Sequence, residues 1–215
     1  MPHRLTQLMR EVGEGRFPEQ DGAVEVLPPA AGTGTAVVAL AAHHVIAAAI
    51  DGAWVRARLP DGDLGAPMSP AFLGALAERL GVAPGPTDVV LCAPADRQIP
   101  GLDLVRLLDG HDHTRILRAH RYRSDVRAYA AQGGAGRLIT GRGLAGRWEA
   151  AFEVEPAQRG RGLGRRLAAA ARAMVPRGEA IFLQVTPGNV ASMRAVLAAG
   201  YRPVGAEVLF TRPER

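Results

Sequence analysis

The sequence predicts an α/β (α+β) protein, and three observations predict it. Residues Trp148–Glu155 alternate: Trp148, Ala150, Phe152 and Val154 on one side, Glu149, Ala151, Glu153 and Glu155 on the other. That is the period of a half-buried strand. A glycine-rich loop follows, Gln158 to Gly164, and opens into a helical run, Arg165–Val175, with Leu163, Leu167, Ala171 and Met174 on one side and Pro176 as its stop. Before it, turn residues at Gln132–Gly134 and Gly143–Gly146 divide the chain into the short strands of an antiparallel meander.

The elements can be taken in order. His3–Glu14 carries Leu5, Leu8, Met9 and Val12 at helical spacing and ends at Gly13, Gly15 and Pro18. Ala23–Leu27 reads as a short strand before Pro28-Pro29. Val37–Ala42 and Val45–Ile50 are β-capable, interrupted by His43 and His44, which a strand would point to opposite faces. Asp51 caps a short helix to Leu59, and Ser69 with Pro70 at the first helical position opens another that closes at Gly81. Pro84-Gly85-Pro86 reads as a turn before strand Asp88–Cys92. Ala93–Gly110 reads as a connector containing one short helix, Leu102–Leu108, and divides the chain into 1–108 and 109–215. Asp112–Arg121 is a helix, Ser124–Ala131 and Arg137–Gly141 are strands, and Ile181–Val185 is a strand. A helix from Asn189 presents Val190, Met193, Val196 and Leu197 to the core and ends at Gly200, before a last strand Pro203–Thr211.

Composition bounds the function. All 26 basic residues are arginine, and the net charge is +5. Aromatic residues make up only 5%, with no basic–aromatic interleaving, so nucleic acid is not an expected partner. One cysteine, Cys92, excludes an internal disulfide framework and a cysteine-based zinc site, and its apolar run predicts a buried inert thiol. His113 and His120 would share a helix face, but neither they nor His111 offers a third ligand in register, so no metal is expected. The longest apolar run, Ala36–Ile50, is too short to span a membrane, and the chain reads as soluble and cytoplasmic.

The loop carries the chemistry. Glycines let the backbone turn tightly and bring N–H groups close to a ligand. At a helix N-terminus those groups are unpaired and face an anion. Such a site suits phosphate, and Arg159, Arg161, Arg165 and Arg166 surround it with permanent charge. With no lysine in the chain it is no P-loop, and Gly160, Gly162 and Gly164 do not fit the dinucleotide fingerprint. The spacing that fits is Arg-x-x-Gly-x-Gly, Arg159 through Gly164. With Glu153-Val154-Glu155-Pro156 before it, and Asn189, Ser192 and Gly200-Tyr201 after it, this sequence resembles the GNAT superfamily of acyl-CoA N-acyltransferases over roughly residues 111–215.

The resemblance implies a GNAT-type mixed, mainly antiparallel central sheet flanked by helices. The first half would then be a degenerate GNAT-like copy that shapes the acceptor pocket. It implies direct transfer of an acetyl group from acetyl-CoA to a primary amine, in a monomer or homodimer. Main-chain groups of Phe152, Glu153 and Val154 would hold the pantetheine arm. The loop Arg159, Gly160, Arg161, Gly162, Leu163, Gly164 and Arg165 would take the pyrophosphate, and Asn189 with Ser192 would stand near the sulphur end. Two positions depart from the family pattern. Val196 stands where many members carry a tyrosine acid, and Gln184 stands where some carry a base. Glu149 and Glu153 are the remaining candidate bases, with Glu149 preferred. A non-catalytic acyl-CoA-binding module is the competing reading.

Overall fold

The computed structural model describes residues 3–31, 34–97, 102–108 and 113–212. The strands are β1 (Val24–Leu27), β2 (Ala36–Leu40), β3 (His43–Ala47), β4 (Ala83–Pro94), β5 (Leu104–Leu107), β6 (Ser124–Ala131), β7 (Gly136–Arg142), β8 (Trp148–Val154), β9 (Ala180–Val185) and β10 (Arg202–Thr211). The helices are α1 (Arg4–Gly13), α2 (Gly52–Arg56), α3 (Pro70–Leu80), α4 (Thr114–Tyr122), α5 (Leu163–Ala171) and α6 (Val190–Ala198). All ten strands form one sheet, in the order β1-β3-β2-β10-β4-β9-β8-β7-β6-β5. Among the described residues, only β1/β3 and β8/β9 pair in parallel. The sheet is mixed and mainly antiparallel, with helices on both faces.

The two halves of the chain interleave. β4, from the first half, lies between β9 and β10, pairing Val89–Pro94 with Ala180–Val185 on one side and Ala83–Cys92 with Arg202–Thr211 on the other. β10 in turn pairs with β2. One face of the sheet is covered by α1 and α4. Leu5, Leu8, Met9 and Val12 are at most 1% exposed and pack with Val38, Val90, Cys92 and Phe182. Ile116 and Ala119 pack on Ala128 and Ile139. The opposite face is covered by α3 over Val37, Ile46 and Val208, and by α5 and α6 over Ala150, Ile181 and Leu183.

Four expectations are corrected. The run around Leu102–Leu108 is no helix: Leu104–Leu107 pairs with Ala128–Ala131 as the edge strand β5. A run as short as Leu104-Val105-Arg106-Leu107 has no decisive period, so tertiary pairing settles it. Pro84-Gly85-Pro86 is not a turn but the start of β4. Prolines are tolerated there because β9 joins β4 only from Val89, leaving the proline end paired on one side alone. In α6, Val190 and Leu197 are exposed, and the buried line runs through Met193, Val196 and Ala199. Alanine on both flanks hid the phase of that helix.

The fourth concerns the histidine pair, which begins β3 rather than interrupting a strand. The turn before it is Ala41-Ala42, both left-handed at φ 49° and 63°. A two-residue hairpin with both central residues at positive φ favours Asn-Gly, and an alanine there is strained by roughly 1 kcal/mol per residue. Ala42→Gly is therefore expected to stabilise the protein by about 0.5–1 kcal/mol in urea unfolding, despite the added freedom of the unfolded chain. Beyond the turn, His43 sits buried with Nδ1 3.0 Å from Asp21 and Nε2 3.1 Å from Glu25, while His44 is buried on the other face with its Nδ1 unpartnered. Burial and the neighbouring His43 hold His44 below the ordinary imidazole range.

Candidate functional site

β8 and β9 begin as neighbours and then part. Their ladder has two rungs, Trp148↔Ile181 and Glu149↔Phe182. Yet β8 continues to Val154 and β9 to Val185. β7 stays paired with β8 along its whole length, through Gly136↔Val154. From Ala150 onward, the edge of β8 that faces β9 therefore has no strand partner among the described residues. Buried main-chain donors and acceptors are normally paired, so an open wedge in the middle of a sheet is a place for an extended ligand to complete the ladder.

The glycine loop lies directly beyond that wedge. Pro156–Gln158 makes one turn, and Gly160 and Gly162 then adopt φ 76° and 78°. Side-chain-bearing residues rarely hold that conformation. Gly162 is the N-cap of α5 and offers no side-chain cap, so the first amides of α5 keep their donors. Gly164 serves packing instead. A Cβ there would stand 3.4 Å from the Phe152 ring and 3.6 Å from the Ala195 Cβ, in ordinary contact, so α5 lies close against β8 and α6 at this point. Arg159, Arg161 and Arg165 are exposed around the loop. Arg159 donates to the Val154 carbonyl at 3.2 Å, and Arg161 donates to Gln158 at 3.3 Å. Gly162, Arg165 and Arg166 border a hollow of about 370 Å³ floored by Ala169, Ala198 and Ala199.

Asn189 follows β9. Because β8 and β9 are parallel, it stands at the same end of the sheet as the loop. Its Oδ1 caps α6, accepting from the Ser192 amide at 3.1 Å, so these two expected residues meet each other. Behind them Tyr201 is buried and donates to the Ala168 carbonyl of α5 at 3.0 Å. Burial raises its phenol well above the ordinary range.

The two glutamates part company. Glu149 was expected on a polar face, but it is buried, and both its oxygens are taken. Arg123 Nε donates at 2.9 Å, Arg147 Nε at 3.0 Å and the Leu144 amide at 3.2 Å. Burial raises its pKa, but the two guanidinium groups more than offset this and hold the carboxyl below its ordinary value. A carboxylate so held is a poor proton acceptor. Glu153 is only partly buried. Its Oε2 lies 3.2 Å from Arg115 Nε and 3.4 Å from His113 Nε2, both from the start of α4. Gln184 is half-buried on the Glu149 face of the sheet, and Val196 is fully buried in the core of α6. Burial pushes the Cys92 thiol up to about 11, the environment of an inert thiol.

Sequence reasoning missed Arg147 and Glu207. Arg147, buried between Glu149 and Glu207, donates to Glu207 at 2.6 Å and to Met9 Sδ at 3.3 Å. Burial raises Glu207 above the ordinary carboxylate range despite Arg147. The chain Arg123–Glu149–Arg147–Glu207 thus ties β8 and β10 beneath α1. The one signal in the sequence was a lone glutamate inside the apolar run Val204–Phe210. The metal reading of the histidines gains no support: His111 lies outside the described residues, and no group of three ligands occurs among those described. No helix among them is long and apolar enough to cross a membrane.

Comparison with known proteins bears on this arrangement. Residues 150–208 match the family model described as FR47-like protein. Among solved structures, the chain is similar to a GCN5-related N-acetyltransferase from Kribbella flavida (17% identity, 66% of this chain and 64% of that one, TM-score 0.45). It is also similar to a GCN5-related N-acetyltransferase from Sphaerobacter thermophilus (16% identity, 66% and 56%, TM-score 0.42). A third is a tandem GNAT protein from the clavulanic acid biosynthesis pathway (16% identity, 73% and 62%, TM-score 0.42). The chain thus spans less than two thirds of the length of each. No curated protein matches it. The wedge and the glycine loop both lie within residues 150–208, the stretch that the FR47-like family model matches.

Proposed function

We propose that the protein is an acyl-CoA-dependent N-acyltransferase that moves an acetyl group from acetyl-CoA directly to a primary amine. The observation that carries this reading is the parting of β8 and β9 immediately before a glycine loop at an uncapped helix N-terminus. The open edge of β8 at Phe152, Glu153 and Val154 suits the amide-bearing pantetheine arm as an added strand. The α5 amides, with Arg159, Arg161 and Arg165, suit its pyrophosphate. Asn189 keeps its amide N–H donors for the sulphur end, beside Ser192. An open β8 amide stabilises the charge that develops on the thioester oxygen. The first half, read as a degenerate copy of the same fold spanning 1–108, walls the acceptor's side.

An amine must lose a proton as it attacks. Glu153 is the group in this reading that accepts it. Arg115 and His113 hold one carboxylate oxygen, and the other is left for the acceptor. Glu149 serves to anchor β8 and does not act as base. Glu153→Gln is expected to lower kcat by roughly 100-fold and to leave the acetyl-CoA dissociation constant within a few-fold. Free thiol release, followed across pH with a panel of primary amines, measures it. Unchanged turnover across that range rejects Glu153 as the base.

Val196 and Gln184 favour a second reading, a binding module without turnover. Neither side chain can donate or accept a proton as a tyrosine or carboxylate would. Acetyl-CoA binding without thiol release from any amine in the panel would decide for it.

A further inference from the structure

A cavity of about 550 Å³ opens at the other end of the same strands. Its walls come from α1 and from Trp148, Ala180 and Phe182, at the starts of β8 and β9. The glycine loop and Asn189 follow the far ends of these strands, and the rungs Trp148↔Ile181 and Glu149↔Phe182 close the sheet between the two places. The cavity is thus separate from the surface assigned to the acyl donor. Its volume lies within the roughly 300–1,000 Å³ of small-molecule sites.

Its chemistry is one-sided. Met9, Ala180 and Phe182 supply apolar wall. The charged lining residues are Arg10, Arg142, Arg147 and Arg177 against Glu14 and Glu179. Most of these are already matched. Arg142 grips Glu179 with two bonds of 3.0 Å, Arg147 is shared by Glu149 and Glu207, and Glu14 is paired with both Arg10 and Arg16. Arg177 is exposed at the rim and has no ion pair or hydrogen bond among the described residues. One unmatched guanidinium beside an apolar wall suits one carboxylate, which it can bind with two parallel hydrogen bonds.

We propose that this cavity is a second ligand site, for a compact monocarboxylate with an apolar body. Arg177 takes the carboxylate, and the body lies along Met9, Ala180 and Phe182. Arg147 lines the cavity but stays engaged with Glu149 and Glu207, which leaves Arg177 to meet the ligand's charge.

The test uses the full chain without acyl donor. Calorimetric titration with 3-phenylpropionate, indole-3-acetate and octanoate is expected to show one-to-one binding of at least one of them. The neutral 3-phenylpropionamide should not bind. Arg177→Glu, an exposed change that leaves the core intact, should weaken binding at least tenfold, and saturating CoA should leave it unchanged. The proposal is overturned if none of the three acids binds, if the amide binds as well as its acid, if Arg177→Glu has no effect, or if CoA displaces the acid. None of these readouts depends on turnover, so the result stands apart from the acyltransferase reading.

Discussion

Arg147→Met is expected to destabilise the fold by about 3–5 kcal/mol, a fall in Tm of roughly 6–20 °C for a chain of this size. Arg147 is only 6% exposed and is the common partner of Glu149 and Glu207, both also buried. Methionine fills much of the same space beside Met9 but leaves Glu149 with Arg123 and takes away the guanidinium that Glu207 is paired with. Removing one member of a buried network costs more than replacing all of it, because the remainder keeps its desolvation penalty unpaired. Adding Glu149→Gln and Glu207→Gln to Arg147→Met should therefore recover part of the loss. The two carboxylates should also differ. Glu149 is held below its ordinary value, so its contribution is present at neutral pH and disappears as pH falls through the folded-state value. Glu207 is raised, so its charged form is disfavoured in the fold, increasingly so as pH rises above the ordinary carboxylate range. Glu149→Gln should thus cost more than Glu207→Gln at pH 7. Denaturant unfolding at pH 7 and pH 4 measures both, and equal costs at the two pH values would contradict the assignment.

The second large effect is that a fragment of residues 96–215, which contains all of the stretch matched by the FR47-like family model, should fail to fold alone. It lacks β4, the strand between β9 and β10, so both would lose a neighbour along their length. It also lacks α1, leaving Phe182, Leu144 and Ala145 uncovered. Exposed strand edges and apolar surface on that scale promote aggregation. The fragment is expected to give no cooperative unfolding transition, and co-expression with residues 1–95 should restore one. Cooperative unfolding of 96–215 by itself would mean that the halves are independent domains.

Local structure was legible where one short-range rule decided it. Ser69 and Asp51 cap their helices through side-chain bonds to Phe72 and Ala53, and Gly200 takes the left-handed conformation after α6, as turn and cap chemistry requires. The alternation of Trp148–Val154 fixed a strand but not which side was wet. Glu149 faces inward because Arg123 and Arg147 arrive from distant or looping segments, and no periodicity encodes a partner. For the same reason the place of β4 was unreadable: its apolar run announces a strand, but its neighbours lie about 90 and 120 residues further along the chain. The Ala41-Ala42 turn escaped notice because alanine is not a residue that positive φ favours. In the candidate site, the glycine loop could be read from its spacing, whereas the wedge beside it comes from a register that ends after two rungs.

The central claim is that this wedge and loop bind an acyl-CoA. Thermal unfolding with and without acetyl-CoA, in the wild type and in Gly162→Glu, tests it most directly. At about 100 times the dissociation constant, ligand should add roughly 2.7 kcal/mol, a rise of about 5–11 °C. In Gly162→Glu a carboxylate stands at the uncapped start of α5, and the rise should vanish while the variant still unfolds cooperatively. A wild type that saturating acetyl-CoA leaves unshifted, or a rise of equal size in Gly162→Glu, would contradict the account.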